Sequence, residues 1–411
     1  MAKKGNIIFF LLTAVFLASF FVSMISNYKL PILMVKGAVS IVLIILICFD
    51  YKTGSNKSAF LGHKDSVKIF SSILFIVCLI FALTLLYSLN PKFGALKFVH
   101  IIAGTLPCVF GLFYIILTIN SDRLKVFIYT VILAAMSLAI PTIILEPFSF
   151  VPSYSFSIAN WSHVIFARFV SILLLIILIN HFYLSYRLNI YVSGIILLTL
   201  VLSTLISGHK ASIIGVLVTA IILIVYKSYK YSLKNEAVYT AGIALTLSVL
   251  VMIVFYGDNE SARRAATIVE PDKLITEGGV AVRLDLWEKA IEAGNENIIL
   301  GTGLGGFRSE KYLGKDLLDL KYPHNLLLEI YAELGIVMSL IIIFTLIKVF
   351  IKSFKLGAEI FLLSLYFLWL SLFSKDIATN TQVWFFLILI VIDNNTIEKV
   401  KSSFRLTDKL L

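Results

Sequence analysis

The sequence predicts an all-α polytopic membrane protein with about 12 transmembrane helices and one long extracytoplasmic loop that contains an amphipathic helix. Three observations predict it. Of 411 residues, 59% are hydrophobic and only 14% charged, and the mean hydropathy of +0.97 lies far above that of a soluble globular domain. Apolar runs of about 20 residues, the length that crosses a bilayer, recur along nearly the whole chain. Lys and Arg gather in alternate short connections. No stretch of ordinary domain size is left over, so residues 1–411 read as a single integral membrane domain. Any chemistry must then sit on loops and helix ends.

Taken in order, the basic start "MAKKGNIIFF" leads into an apolar run that lacks a convincing small-residue cleavage site. A second apolar run follows almost at once, so the first is expected to be a retained span. Apolar length and polar punctuation place spans near 7–26, 31–49, 69–87, 98–119, 126–145, 164–184, 190–206, 212–226, 237–256, 325–348, 357–373 and 380–393. Cys48, Cys78 and Cys108 all fall inside these runs, where cysteine behaves as a small hydrophobe, so neither a disulfide framework nor a metal site is expected. One set of loops carries Lys52, Lys57, Lys64 and Lys68, then Arg123 and Lys125, Arg187, Lys227, Lys230 and Lys234, and finally Lys348, Lys352 and Lys355. Because short loops rich in Lys and Arg stay in the cytoplasm, both termini are expected inside. The net charge of +11 is mainly a topology signal; a nucleic-acid partner would need a clustered basic face on a soluble domain.

On the opposite, outer side lies the long segment 257–323, far longer than an ordinary connection. Within it, "VRLDLWEKAIEA" sets Leu284, Trp287 and Ile291 at helical spacing, with Asp285 and Lys289 as an i,i+4 pair. This predicts an amphipathic helix outside the membrane.

Several residues there suit charged ligands. Arg263, Arg264, Arg283 and Arg308 offer a rigid donor fork matched to phosphate oxygens, although any one of them taken singly looks like a solvated or headgroup-facing side chain. Lys210, in "ISGHKASIIG", begins a helix, and helix N-termini favour anions; a lysine at an interface also snorkels. His324 follows Pro323 and precedes Asn325 at the mouth of the tenth expected span, where a neutral imidazole could take a proton from a hydroxyl, or simply cap the helix. Glu329 and Glu333 follow at one and two turns, and carboxylates at that depth are expensive enough to suggest a function. The glycines of "GTGLGGF" lack the βαβ context of a dinucleotide fingerprint and read better as a tight turn folding the loop back on the membrane. Asp376, in "FSKDIATN", adds a carboxylate to a loop on the same outer side.

The ordered set "SGHKAS", "RLDLWEKAI", "NIILGTGLGGF" and "PHNLLLEIYAELGI" resembles the O-antigen ligase and O-antigen polymerase superfamily of bacterial membrane glycosyltransferases. That resemblance implies a glycan donor on undecaprenyl diphosphate, an acceptor that is lipid A core or a growing glycan, and an active site on the periplasmic side of the cytoplasmic membrane. It implies neither a metal nor another cofactor. Arg283 and His324 match the family's loop arginine and the histidine before Asn. Lys210 stands where the family usually has an arginine, which keeps the charge and loses the fork. Before the sixth span, relatives often carry an arginine, and the nearest residue here is Arg168. With Arg263, Arg264, Glu333 and Asp376 as substrate-side helpers, the expected catalytic set is His324, Arg283 and Lys210.

Ligase and polymerase share donor and motifs and differ in acceptor. Arg283 and Gly294 fit an Arg-x10-Gly spacing seen in some polymerases, while the superfamily is described around ligase activity. A lipid-linked oligosaccharide flippase or other transporter should instead show internal repeats and broken, charged helices near the bilayer midplane.

Overall fold

The computed structural model describes residues 2–25, 30–53, 60–145, 163–183, 190–206, 209–231, 279–314, 322–373 and 376–393. The span expected at 237–256, and Arg263 and Arg264 with it, lie outside the described residues. Those described form helices α1 (Ala2–Ser23), α2 (Leu30–Thr53), α3 (Lys64–Leu85), α4 (Pro91–His100), α5 (Leu106–Thr118), α6 (Ser121–Leu145), α7 (His163–Tyr183), α8 (Ile190–Ile206) and α9 (Lys210–Tyr231). There follow α10 (Gly279–Glu296), α11 (Glu310–Leu313), α12 (Leu326–Leu356), α13 (Ala358–Phe373), α14 (Thr381–Trp384) and α15 (Phe386–Val391). Six helices are long and apolar enough to cross a membrane, within α1, α2, α3, α4–α5, α6 and α12, and shorter apolar helices lie in α7, α8, α9, α13 and α14–α15. The chain is an all-α polytopic membrane protein. Thr381–Val391, where the last span was expected, covers only about 16 Å at 1.5 Å per residue, too short to cross a bilayer core unaided.

The fourth span begins earlier than its hydropathy suggests. Asn90 caps α4, its Oδ1 accepting from Phe93 N at 3.1 Å, and Pro91 takes the first turn, where its missing N–H costs nothing. A π-turn, Ile101–Thr105, then joins α4 to α5. Pro107 explains that turn, because a proline inside a helix removes a donor and crowds the carbonyl four residues back, and one wide turn relieves both. Lys97 and His100, which segmentation leaves at the border of a span starting at 98, are consequently interior and buried.

The described residues fall into two compact units. In the first (Met1–Arg123, Gly278–Leu356 and Ser371–Val400), charges inside the helices are met by partners, as the low dielectric requires. Arg123 grips Asp50, with Nη2 2.7 Å from Oδ1 and Nη1 3.1 Å from Oδ2, and the Tyr114 hydroxyl donates to the same carboxylate at 2.7 Å. Lys36 Nζ donates to the Ile25 carbonyl at 2.5 Å and lies 2.7 Å from His100 Nδ1.

The same unit holds a break in α12. Gly335 sits at φ +75°, outside helical geometry, so the helix divides into a short segment, 326–334, and a long one, 336–356. The break frees backbone groups that lipid cannot satisfy. The "IILGTGLGGF" strap satisfies them: Thr302 N donates to Ala332 O and Gly303 N to Glu333 O, both at 2.9 Å, and Ile336 N donates to Ile298 O at 2.7 Å. Gly301, at φ +70°, passes so close that a Cβ there would lie 2.4 Å from the Glu333 carbonyl carbon. The glycine cluster therefore folds the loop back against the membrane helix, as its sequence suggests.

The second unit comprises Leu124–Glu277, Gly357–Leu370 and Lys401–Leu411. Here Trp369 Nε1 donates to Ala211 O at 2.8 Å and the Tyr366 hydroxyl to Ser171 Oγ at 2.5 Å. Gly215 admits the Tyr366 and Trp369 rings, which a Cβ would meet at 2.7 Å.

Candidate functional site

The site is built from the start of α12 outward. Asn325 caps the helix, Oδ1 accepting from Leu327 N at 3.0 Å and Leu328 N at 3.3 Å. His324, immediately before it, has φ +58°, the one positive φ on a non-glycine residue among the described residues. That conformation costs free energy and persists where surroundings impose it. The surroundings are visible: Trp287 Nε1 on α10 donates to Pro323 O at 2.9 Å, and the Tyr322 ring packs against the imidazole with centroids 4.4 Å apart.

Arg283 lies one turn before Trp287 on α10. Burial pushes its guanidinium below its ordinary pKa, with Tyr322 acting in the opposite direction; an arginine so placed stays charged. Tyr322 packs on His324 and acts electrostatically on Arg283, and Trp287, one turn from Arg283, bonds the residue before His324, so α10 lies beside the mouth of α12. A partly buried cation beside a half-exposed imidazole can stabilise a developing anion and accept a proton.

The helix α10 packs differently from its predicted face. Leu286, Ala290 and Ala293 are buried with Phe307, Tyr312, Leu313 and Ala332, while Leu284 and Ile291 are exposed. Small residues win this register because α10 packs tightly on α12: a Cβ on Gly294 would meet the Tyr331 ring at 2.3 Å. Asp285 and Lys289 do form the expected pair, at 3.8 Å. Arg308 is occupied by α4, its guanidinium 4.5 Å from the Phe93 ring centroid and its carbonyl accepting from Asn90 Nδ2.

The two glutamates of α12 do not reach toward His324. Glu329 and Glu333 both turn to Lys97 on α4, Glu333 Oε2 at 2.7 Å and Glu329 Oε1 in a short contact, with all three side chains buried. The second Glu329 oxygen accepts from Ile377 N at 2.8 Å. Asp376 is buried, not solvated: its Oδ1 accepts from Thr379 N at 2.9 Å and Thr379 Oγ1 at 2.5 Å. Thr379, Asn380, Thr381 and Gln382 are fully buried too. The "DIATNTQ" segment is an inward fold of chain, with its polar side chains buried. Among the described residues no group of His, Cys, Asp and Glu could hold a metal ion.

Beside this corner runs an apolar groove of about 370 Å³, following α12 from Leu326, two residues after His324, to Leu346, with Ile76 and Phe81 of α3 and Trp384 of α14 among its walls.

In the second unit, Lys210 is the first residue of α9, as expected, and its side chain lies outside the described residues. Its neighbour His209 caps that helix, with Nδ1 2.7 Å from Ser212 Oγ and accepting from Ser212 N at 3.3 Å. Arg168 is fully buried inside α7.

The elements from α8 to α12, with the strap and the His-Asn cap, fall in the part of the chain that a known family resembles. Residues 195–344 match the family described as O-Antigen ligase. Its apolar helices make the chain a multi-pass membrane protein. No curated protein matches the chain. The matched segment contains Lys210, Arg283, His324 and both α12 glutamates. Lys97 lies outside it and was the main omission of the sequence reading. The signal was available, since two carboxylates at i and i+4 on an apolar helix demand a buried cation.

Proposed function

We propose that the protein transfers a glycan from undecaprenyl diphosphate to an acceptor hydroxyl at the outer face of the cytoplasmic membrane, in the manner of an O-antigen ligase with lipid A core as acceptor. The observation that supports the reading is that α10, which carries Arg283, bonds the residue before His324 through Trp287 within the matched segment. In this reaction the bond from the sugar's anomeric carbon to the diphosphate oxygen breaks and a bond to the acceptor oxygen forms. Arg283 stabilises the charge left on the departing diphosphate. His324 takes the acceptor's proton. Lys210, on its place in "SGHKAS" alone, and Arg263 and Arg264, on theirs in the long loop, are proposed as further diphosphate contacts. The apolar groove beginning near His324 suits part of a polyprenyl chain. Glu333 and Asp376 serve this reading from within the fold, since their carboxylates are buried.

A charged, broken helix is also what a carrier would show. Here, however, the strap caps carbonyls freed at Gly335, and Lys97 occupies both glutamates, so these groups serve the fold and do not line a path.

The test is transfer in vesicles holding the full chain, a lipid-linked glycan and lipid A core. His324→Ala is expected to lower transfer by about 10²–10⁴-fold, the range for loss of a general base, while the protein still inserts. Unchanged transfer would end the reading. If lipid A core accepts nothing but a second carrier-linked unit does, the polymerase form replaces the ligase form.

A further inference from the structure

We propose that Lys97 is a positioning residue for transfer: it holds the short segment 326–334, and through it His324, at the working place. The inference rests on the transferase reading above. Gly335 interrupts α12, so nine residues carrying His324 at their outer end are not held in line by the rest of their helix. Their placement depends on lateral ties. Among the described residues Lys97 makes both ion pairs of this segment, one to each of its carboxylates.

Each of those glutamates has a second tie, which makes Lys97 the hub of four stretches of chain. Glu329 holds the inward fold at Ile377 N, at 2.8 Å, and the carbonyl of Glu333 accepts from the Gly303 amide of the strap at 2.9 Å. Lys97 itself stands on a helix fixed to that strap: Gly94 approaches Leu304 so closely that a Cβ would lie 2.2 Å from its carbonyl oxygen, and Asn90 Nδ2 donates to Arg308 O. The strap in turn packs with the α10 core, through Phe307 beside Leu286 and Ala290. One ammonium therefore fixes the His324 segment against the elements that carry Arg283. A shift of about 1 Å between a base and its reacting partner costs about 10²-fold in rate, so a loose clamp would be felt in turnover.

Lys97→Met alone would leave two buried carboxylates and risks misfolding. The informative variant is Lys97→Met with Glu329→Gln and Glu333→Gln, which removes the charges together, checked for insertion and a single species in detergent. Expected are a kcat reduced about 10²-fold with an unchanged KM for the lipid-linked donor. A kcat equal to that of the parent chain overturns the proposal, and so does a raised KM at unchanged kcat, the pattern of a lost donor contact. A second arm needs no reaction: the thiol of His324→Cys, labelled by a water-soluble maleimide, should react at a changed rate when the triple substitution is added. An equal rate also overturns it. If the unaltered chain transfers no glycan at all, the transferase reading fails, and the labelling arm still reports whether Lys97 sets position 324.

Discussion

The two parts of α12 share one helix label and live in different solvents. Between Leu326 and Leu334 every apolar or charged side chain that faces inward is tied down: Glu329 and Glu333 to Lys97, Ala332 against α10 and the strap, Leu326 and Ile330 against the groove wall. Beyond Gly335, Val337, Leu340, Ile341, Phe344, Ile347, Ile351 and Phe354 are exposed, which on a membrane protein is a surface for lipid. The first part is specified residue by residue, because each buried charge needs its own partner. The second needs only to be apolar. Function collects where the chain bears the cost of specification.

Substitutions can break that contrast, and the largest effect is expected at the junction. Gly335→Val places a branched side chain at φ +75° with its Cβ 2.3 Å from Ile299 O. Strain and overpacking together should destabilise the first unit by about 2–4 kcal/mol, read as a lower thermal midpoint in detergent; an unchanged midpoint would show that the strap is not packed against the break. Next comes Glu329→Leu, which leaves the Ile377 amide without its acceptor and weakens the Lys97 cluster. About 3 kcal/mol is the lower end for breaking a buried ion pair, and the loss should exceed that of any single apolar exchange beyond Gly335.

Trp287→Phe removes one donor to Pro323 O, for about 0.5–1.5 kcal/mol, with a larger proportional loss of transfer than of stability if it helps hold His324. Phe344→Leu, on the lipid side, should stay within about 0.5 kcal/mol and leave transfer unchanged; a marked loss there would mean that this face contacts protein. The smallest effect is on α10. Hydrogen bonds from Lys311 and the Tyr312 hydroxyl hold the Glu296 carboxyl below its usual pKa. A lowered carboxyl contributes stability above its unfolded pKa and loses it as pH falls through the folded value. Glu296→Gln should therefore cost slightly at neutral pH, and the difference from the parent chain should vanish in acid.

Much of this was legible in the sequence. The expected spans and the helices coincide within a few residues from α1 to α3, and the helix at "VRLDLWEKAIEA", the glycine fold-back and the cap ahead of "LLLEIYAELG" all carry local signals: apolar length, i,i+4 pairs, glycine where φ is positive. Helical spacing sets Leu284, Trp287 and Ile291 on one apolar face of α10, and that face is not the buried one. The structure buries alanines, since close approach of two helices rewards small residues and the bulky ridge is left outside.

The sequence by itself determined that the chain crosses a membrane many times, that its polar residues gather in the stretch now matched to the O-antigen ligase family, and that a histidine stands at a helix mouth there, because apolar length and short motifs are local properties. Only the tertiary structure decided where the charges go. Lys97 is 232 residues from Glu329 along the chain, and Asp376 reads as an ordinary loop residue until the segment around it turns inward. A buried charge takes whichever partner the packing brings within reach, and sequence spacing carries no record of that choice.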